Sequence, residues 1–227
     1  MTIDNDGAAG LQDLLTAAFA QTVQHSKPGA PAYVAHADTA RTTFESTMRA
    51  AGYEIRQNLI WVKNTMVLGH SDYHYKHEPI LEAETPPETI VKPGKAEKGH
   101  EPVLYGFTPN GKGRLGRGGK RWYGMNNATT VFEIPKPPAN RDHPTMKPVA
   151  LILAMLANSA RPGHIILDVF AGSGSTLIAA EQHGAAGYMM ELDPHYCDVI
   201  ATRYHEFTGR PVTREDGTPV TFIRKAK

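Results

Sequence analysis

A turn rich in glycine and serine, followed at a distance by an acid, is the part of the sequence best suited to chemistry. The segment 170–175 contains Gly172 and Gly174, which allow positive φ angles and let a ligand approach the backbone closely. Glu191 ends the next apolar run, where a carboxylate can accept hydrogen bonds from ribose hydroxyl groups. This spacing predicts a nucleoside-binding turn in an α/β sheet.

The elements that must position this turn are predicted on both sides of it. The run 165–169 is short, apolar and β-branched, which is typical of a buried strand. The run 176–183 has helical spacing, and Ser175 or Thr176 is expected to cap that helix. The run 188–191 is then predicted to form a second strand with Glu191 at its end.

Two better-known glycine motifs are excluded. The dinucleotide fingerprint G-x-G-x-x-G needs a glycine three residues after Gly174, and the sequence has Leu177 there. The phosphate-binding P-loop needs Gly-Lys followed by Ser or Thr, and no such triplet follows this turn. These residues leave one alternative open, which is a glycine turn in some other α/β enzyme.

A second motif, His-Pro-Thr-Met-Lys-Pro at 143–148, lies just upstream and precedes a predicted helix over 150–159. By itself, Lys147-Pro148 is also typical of a helix start. The order H-P-T-x-K-P, helix, D-x-F-x-G-S-G resembles the β-type order of amino-group DNA methyltransferases. The resemblance covers most of the chain, apart from the extra segment 82–98 and the tail after Gly209.

The resemblance implies a Rossmann-like, S-adenosylmethionine-dependent methyltransferase sheet, incomplete at its N-terminus, with a loop-rich insert. It implies site-specific methylation of an amino group in double-stranded DNA, adenine N6 favoured over cytosine N4, as in restriction–modification systems. Thr145 and Lys147 would bind the methionine end of the cofactor, and Glu191 its ribose. The residues that would shape the rest of the cofactor pocket are Asp168, Phe170, Gly172, Ser173, Gly174 and Ser175.

A basic segment at 111–123 is the strongest nucleic-acid signal, because its cations lie among glycines with no acid between them. Flexible cations can contact phosphates, and aromatic rings can stack on bases. A solvated loop is the alternative reading of the composition. The predicted DNA-binding residues are Lys112, Arg114, Arg117, Lys120, Arg121 and Trp122.

The catalytic tetrapeptide of the resembled family, D/N/S-P-P-Y/F/W, is absent from this sequence. The Pro-Pro pairs at 85–88 and 136–139 have neither the acid or amide before them nor the aromatic residue after them. In the β-type order this tetrapeptide and a central strand would precede the helix that starts near Leu11. We therefore predict that the chain is a fragment, a mis-started reading frame or half of a split enzyme. Without the central strand beside the one that ends at Asp168, the sheet is predicted to expose two unpaired edges and apolar surface.

The remainder of the chain alternates between the patterns of helices and strands. Helices are predicted over 11–23 and 39–51, and strands over 32–37 and 58–63, which favours a parallel-rich sheet. Proline, glycine and charge dominate from 82 to about 140, which indicates a long loop or insert. The predicted divisions are 1–81 on the catalytic side, 82–140 as insert and target-recognition region, 141–209 for cofactor binding, and 210–227 as a tail.

The segment 76–81, Lys-His-Glu-Pro-Ile-Leu, recurs in similar form at 99–104. An extra insert at 82–98 is the preferred interpretation of this recurrence, and chance is the alternative.

Composition excludes several other classes of protein. The formal net charge of +1 gives no global basic field, and the single cysteine excludes a disulfide framework and fits a reducing cytoplasm. Tyr196 precedes Cys197, whereas C5-cytosine methyltransferases have proline before their nucleophile; Cys197 is predicted to be a small core residue. No apolar run reaches membrane-spanning length, and the histidines lack metal-ligand spacing, so neither a membrane nor a zinc site is expected.

Three functional hypotheses remain from the sequence. The first is the DNA methyltransferase. The second is a non-catalytic or split subunit that binds S-adenosylmethionine or DNA and needs a chain, or a missing N-terminal segment, with the catalytic tetrapeptide. The third is a small-molecule methyltransferase on the same fold, which the H-P-T-x-K-P order and the basic segment disfavour. The assembly is left open, including a homodimer.

Overall fold

Helices and strands alternate in the computed structural model, which describes residues 10–37, 40–62, 100–135 and 146–220. All four elements predicted in the first 63 residues are present, with shifted ends. The elements in chain order are α1 Leu11–Gln24, β1 Pro31–Ala35, α2 Arg41–Ala50, β2 Glu54–Val62, β3 His100–Phe107, β4 Val131–Glu133, α3 Val149–Ser159, β5 Ile165–Asp168, α4 Ser175–His183, β6 Ala186–Met189 and α5 Pro194–Thr208.

The strands form two sheets, a four-stranded one in the order β1-β3-β2-β4 and a two-stranded one of β5 and β6. β3 is antiparallel to both of its neighbours, while β2–β4 and β5–β6 are parallel. The larger sheet is therefore mixed, and the expectation of a parallel-rich sheet is wrong for it. The reason is that β3 returns between two strands that run in the same direction.

β3 also corrects the expectation of loop from 82 to 140. Pro102 and Gly106, which weaken any strand pattern, lie inside this central strand. Gly106 is required there, because a Cβ atom at this position would lie 2.8 Å from the carbonyl oxygen of Glu54 on β2. The neighbouring side chains Val103, Leu104 and Tyr105 are all buried, so packing overrides the local sequence signal.

Helices cover both faces of the larger sheet. α1 and α2 pack on one face through a cluster that includes Phe19, Phe44 and Leu104. α3 packs on the other face, where Leu151 and Met155 contact a cluster that includes Trp61. The Tyr33 hydroxyl on β1 forms a hydrogen bond of 2.6 Å with Ser159, while Leu156 and Ala160 pack toward α4 and β5. α3 therefore joins the two sheets.

Among the residues that the structure describes, each sheet ends in two edge strands, β1 and β4 in the larger sheet and β5 and β6 in the smaller one. Apolar side chains on β5, β6 and the turn beyond are exposed, with Ile165 and Leu192 each at 67%. The partial sheet and its exposed apolar side chains agree with the expected apolar surface beside the strand that ends at Asp168, and the expectation that a missing strand leaves two of these edges unpaired stays a prediction.

α3 and α4 lie side by side with their C-terminal ends together. His183 Nε2 is 3.1 Å from the carbonyl oxygen of Ala160, and Gly163 donates to the carbonyl of Gly184 at 2.7 Å. Their N-terminal ends therefore also lie together, at the carboxyl end of β5. α3 has 11 residues, so about 16 Å separates its two ends.

α5 packs along one side only and has no buried residue. The prediction that Cys197 is a core residue is wrong, because its thiol lies on this exposed helix. No helix in the described ranges is long and apolar enough to cross a membrane.

Candidate functional site

The turn after β5 has the backbone geometry that its sequence predicts. Gly172 has φ 52° and Gly174 has φ 80°, both in the left-handed region that favours glycine. The amide of Phe170 donates to the Asp168 carboxylate at 3.0 Å, and the amide of Gly174 donates to Ala171 at 2.8 Å. These bonds fold the chain back directly above the end of β5.

The predicted side-chain cap of α4 is not formed. Gly174 is the N-cap residue, and no side chain accepts a hydrogen bond from the first amides of the helix. Ser175 instead starts the helix, and its buried hydroxyl has no partner among the described residues. Because the first N–H groups of a helix lack partners within the helix, this uncapped end is suited to a polar or anionic ligand group.

Glu191 joins the end of β6 to the glycine turn. One carboxylate oxygen accepts from the Gly172 amide at 2.7 Å. The other accepts from the amides of Leu192 and Asp193 at 2.9 Å and 3.0 Å. Since a carboxylate offers about four acceptor positions, these three bonds fix its orientation and leave room for a further donor. The structure therefore has this acid in direct contact with the glycine turn, and its predicted contact with a ribose stays a prediction.

α5 supplies contacts to the turn that the sequence analysis missed. A Cβ atom at Gly174 would lie 3.0 Å from Cγ1 of Ile200, so the side chain of Ile200 packs against this glycine. The guanidinium of Arg203 donates a hydrogen bond to the carbonyl of Ser173. The helical spacing of α5 could have shown that these two side chains share a face, but it could not show what that face contacts.

Cys197 lies close to the same acid, with its thiol donating to the carbonyl of Glu191 at 3.6 Å. Partial burial, and then the carboxylates of Glu191, Asp198 and Asp193, raise the pKa of Cys197. A raised pKa reduces the fraction of thiolate, which is the nucleophilic form. This environment disfavours Cys197 as a covalent nucleophile, in agreement with the sequence argument.

The predicted residues for the methionine end are only partly described. Lys147 lies two residues before α3 and therefore at the same end of the helix pair as the glycine turn. Thr145 lies outside the described residues.

The basic segment at 111–123 lies at the opposite end of α3. Arg121 donates to the carbonyl of Pro28, just before β1, at 2.7 Å. The amide of Tyr123 donates to Asn158 at the C-terminal end of α3 at 2.9 Å, and Arg161 stacks over the Tyr123 ring at 4.5 Å. These contacts anchor the segment at the amino ends of β1 and β5, about the length of α3 away from the glycine turn.

The predicted DNA-binding side chains divide into two groups. Trp122 packs against the cluster of Leu59 and Trp61, so its ring faces the core. The five cations Lys112, Arg114, Arg117, Lys120 and Arg121 are exposed. No group of three potential metal ligands occurs within the described ranges.

Comparison with known proteins gives consistent results. The sequence profile of a family described as DNA methylase (N6_N4_Mtase) matches residues 3–202. The type II methyltransferase M.Cfr9I of Citrobacter freundii is 31% identical over 80 residues, which is 35% of this chain and 27% of that protein. The matched parts span about a quarter of the length of the curated relatives.

Solved structures show the same fold. The M1.HpyAVI–SAM complex has a TM-score of 0.64 at 16% identity and covers 87% of this chain and 85% of that one. The cytosine-N4-specific PvuII DNA methyltransferase also has a TM-score of 0.64, at 12% identity, and covers 90% of this chain and 76% of that one. At these identities the likeness establishes the fold alone.

Proposed function

Because this chain belongs to the DNA methylase family, we propose that it transfers a methyl group from S-adenosylmethionine to an exocyclic amino group of DNA, with adenine N6 favoured over cytosine N4. One observation of the fold carries the cofactor part of this proposal. The Glu191 carboxylate is held at the glycine turn by the Gly172 amide, beside the uncapped end of α4. The carboxylate suits the ribose of a nucleoside, the glycines let the ligand approach the backbone, and the unpaired amides at the start of the helix suit a polar substituent on that nucleoside.

Each residue of the site has a separate role in the proposal. Glu191 accepts a hydrogen bond from the ribose, and Phe170, which is 45% exposed, covers an apolar face of the adenosine. Lys147 and Thr145 bind the methionine carboxylate. Asp168 supports the turn through the amide of Phe170. The remaining pocket residues, Gly172, Ser173, Gly174 and Ser175, supply backbone.

Bound S-adenosylmethionine would supply an electrophilic methyl group on a sulfonium centre. The chain's own contribution is to hold that cofactor in one orientation and to exclude water from it. The side chain that would accept the amino hydrogens belongs to the tetrapeptide that this sequence lacks, so no residue of the chain is assigned that role. No residue of this sequence separates the two bases, so the preference for adenine N6 stays a proposal.

Double-stranded DNA is the proposed substrate, and the five exposed cations at 112–121 are its proposed phosphate contacts. All five side chains are exposed, although Arg117 and Arg121 also donate to the backbone carbonyls of Asn126 and Pro28. They lie about the length of α3 from the glycine turn, so in this proposal they bind the DNA backbone and do not contact the target base. We also propose a cytoplasmic location for the protein, which fits a DNA substrate.

The proposal is tested by calorimetric titration of S-adenosylmethionine into the purified chain, with and without duplex DNA. We expect micromolar binding of the cofactor to the chain alone. For an active enzyme, a separate assay with labelled S-adenosylmethionine should also show transfer of labelled methyl groups to the DNA. Absence of binding by a folded chain would reject the proposed site.

A second candidate function is favoured by the unpaired edges of β1 and β5. In this alternative the chain is a subunit that binds cofactor or DNA, and another chain supplies the tetrapeptide together with a strand between those edges. The exposed Ile165 and Leu167 would be covered by that strand. Binding of S-adenosylmethionine without methyl transfer, followed by transfer on co-expression with a co-purifying chain, would distinguish this function from the first.

A further inference from the structure

The face of α5 that carries Ile200 and Arg203 stands against the glycine turn. The two residues are three apart, so they lie on one side of the helix. Ile200 packs on Gly174, and Arg203 donates to the carbonyl of the preceding residue, Ser173. Both contacts reach the last peptide unit before α4 begins.

This peptide unit is the one most in need of external support. It lies next to two glycines in the left-handed region, Gly172 with φ 52° and Gly174 with φ 80°. Glycine has the widest choice of backbone angles, so Gly174 itself restrains the orientation of the Ser173–Gly174 peptide only weakly. Ser173 is only 5% exposed, which means that its carbonyl cannot be satisfied by bulk water.

The orientation of that peptide matters for the ligand side of the turn. With the Ser173 carbonyl directed to Arg203, the Gly174 amide donates to Ala171 at 2.8 Å and α4 starts at Ser175. If the peptide rotated, the carbonyl oxygen would turn away from α5, and the first amides of α4 would lose their alignment. An Arg donor suits this task because its guanidinium stays charged and presents several N–H groups in a fixed plane.

We propose that Arg203 is a positioning residue for S-adenosylmethionine: it holds the Ser173 carbonyl and so keeps the turn in the conformation that receives the cofactor. The inference rests on the proposed function, which assigns the cofactor to this turn. Arg203 acts through the backbone and does not touch the reacting atoms.

A matched control exists on the same helix. The hydroxyl of Tyr204 donates to Glu181 on α4 at 3.0 Å, which also ties α5 to α4 but does not reach the turn. Tyr204→Phe therefore removes one contact between the same two helices. Arg203→Met removes the donor to Ser173 and keeps an aliphatic side chain, whereas Arg203→Lys keeps a charged donor.

The experiment measures the Kd of S-adenosylmethionine by calorimetry, and the Tm by circular dichroism, for the full chain and these three variants. We expect Arg203→Met to raise Kd about 10-fold, or about 1.4 kcal/mol, with Arg203→Lys restoring most of the affinity and Tyr204→Phe leaving it unchanged. The Tm should fall in both Arg203→Met and Tyr204→Phe, since each loses polar contacts of α5, including those of the Tyr204 hydroxyl with Glu181 and Arg210. Where turnover is measurable, KM for the cofactor should rise in Arg203→Met while kcat stays the same.

The outcomes separate this inference from the function on which it rests. If the unmodified chain does not bind S-adenosylmethionine, the proposed function fails. If it binds and Arg203→Met binds equally well, the function stands and the positioning role is rejected. Loss of affinity in Arg203→Lys as large as in Arg203→Met would also reject it, because a donor at that position would then not be what matters. If Arg203→Met does not fold, Arg203→Leu takes its place as the variant without a donor and is compared with Arg203→Lys by the same criterion.

Discussion

The two ends of α3 differ in charge and in the kind of ligand that they suit. At its N-terminal end the glycine turn lies near the acids Asp168, Glu191, Asp193 and Asp198. At its C-terminal end lies the basic segment, with five exposed cations and no acid between 111 and 123. S-adenosylmethionine carries a sulfonium and an ammonium group against one carboxylate, so its net charge suits the acidic end, and the charge of the DNA backbone suits the basic end, as the proposed function requires.

If the proposed sites are correct, mutation should separate binding of the cofactor from binding of the DNA backbone. The proposed cofactor residues lie at the carboxyl ends of β5 and β6, where ligands of open α/β sheets generally bind. The basic segment lies at the amino ends of the strands, about 16 Å away along α3. A charge removed at one end should therefore leave binding at the other end nearly unchanged, because salt screens exposed charges beyond about 10 Å.

The largest effect is expected from Glu191→Ala, at the acidic end. This change removes the acceptor for the Gly172 amide and for the proposed ribose contact, and hydrogen bonds to a charged group contribute roughly 1.5–3 kcal/mol. We expect the Kd for S-adenosylmethionine to rise roughly 10- to 100-fold by calorimetry. Glu206→Ala removes the same charge from an exposed position on α5 and should have little effect. Equal affinity in the two variants would show that Glu191 does not hold the cofactor.

A smaller effect at the same end is expected from Gly174→Ala. The new Cβ would lie 3.0 Å from Ile200 and would force an L-residue into φ 80°, which costs roughly 1–2 kcal/mol. Gly209→Ala imposes similar backbone strain at φ 70° with open space around the Cβ, so it controls for strain alone. We expect a loss of unfolding free energy in both, larger in Gly174→Ala because its Cβ also crowds Ile200, and an increase in Kd, about 10-fold, in Gly174→Ala only. Unchanged cofactor binding in Gly174→Ala would separate this glycine from the site.

These variants concern the part of the site that was predictable from the sequence. The positions of Gly172, Gly174 and Glu191 depend on local order along one strand–turn–helix–strand unit, so the sequence was enough to predict where they lie, while their roles in binding stay a prediction. Arg203 reaches the turn from a helix 30 residues away, and no local pattern encodes that contact. Partners that meet only through tertiary packing could not be derived from spacing.

The fold was predictable to a similar degree. The first two helices and strands follow from periodicity, but β3 was missed because Pro102 and Gly106 interrupt its pattern. The basic segment was recognised by composition, while its position at the amino ends of β1 and β5 depends on contacts such as that of Arg121 with Pro28. Composition reports charge and does not report which end of a sheet carries it.

At the basic end, the change Lys112→Gln with Lys120→Gln is expected to act on DNA only. Both ammonium groups are exposed, and each phosphate contact contributes about 0.9 to the slope of log K against log salt. Fluorescence anisotropy measures binding to a pool of DNA duplexes at several salt concentrations. The slope of log K against log salt should be smaller in magnitude by roughly two in the double variant. The affinity for S-adenosylmethionine should stay the same.

The control for this pair is Arg49→Gln with Arg214→Gln, which removes two exposed charges elsewhere on the chain. We expect it to leave the salt dependence unchanged. If the control lowers the slope as much as the Lys112 and Lys120 pair does, DNA binding reflects net charge, and the basic end has no special part in it.

The smallest effect is expected at Cys197, which reports the charge of the acidic end. Burial, and then Glu191, Asp198 and Asp193, raise the pKa of this thiol, so at neutral pH its thiolate fraction should be below that of free cysteine. Alkylation by iodoacetamide should therefore be slow and should accelerate only at higher pH than for a cysteine-containing peptide.

Asp198→Asn removes one carboxylate and should move the rate profile to lower pH, since less negative charge opposes ionisation. In high salt the two profiles should approach each other, because exposed charges are screened. A profile unaffected by both Asp198→Asn and salt would leave burial as the sole cause and would remove the evidence that this end is acidic in solution.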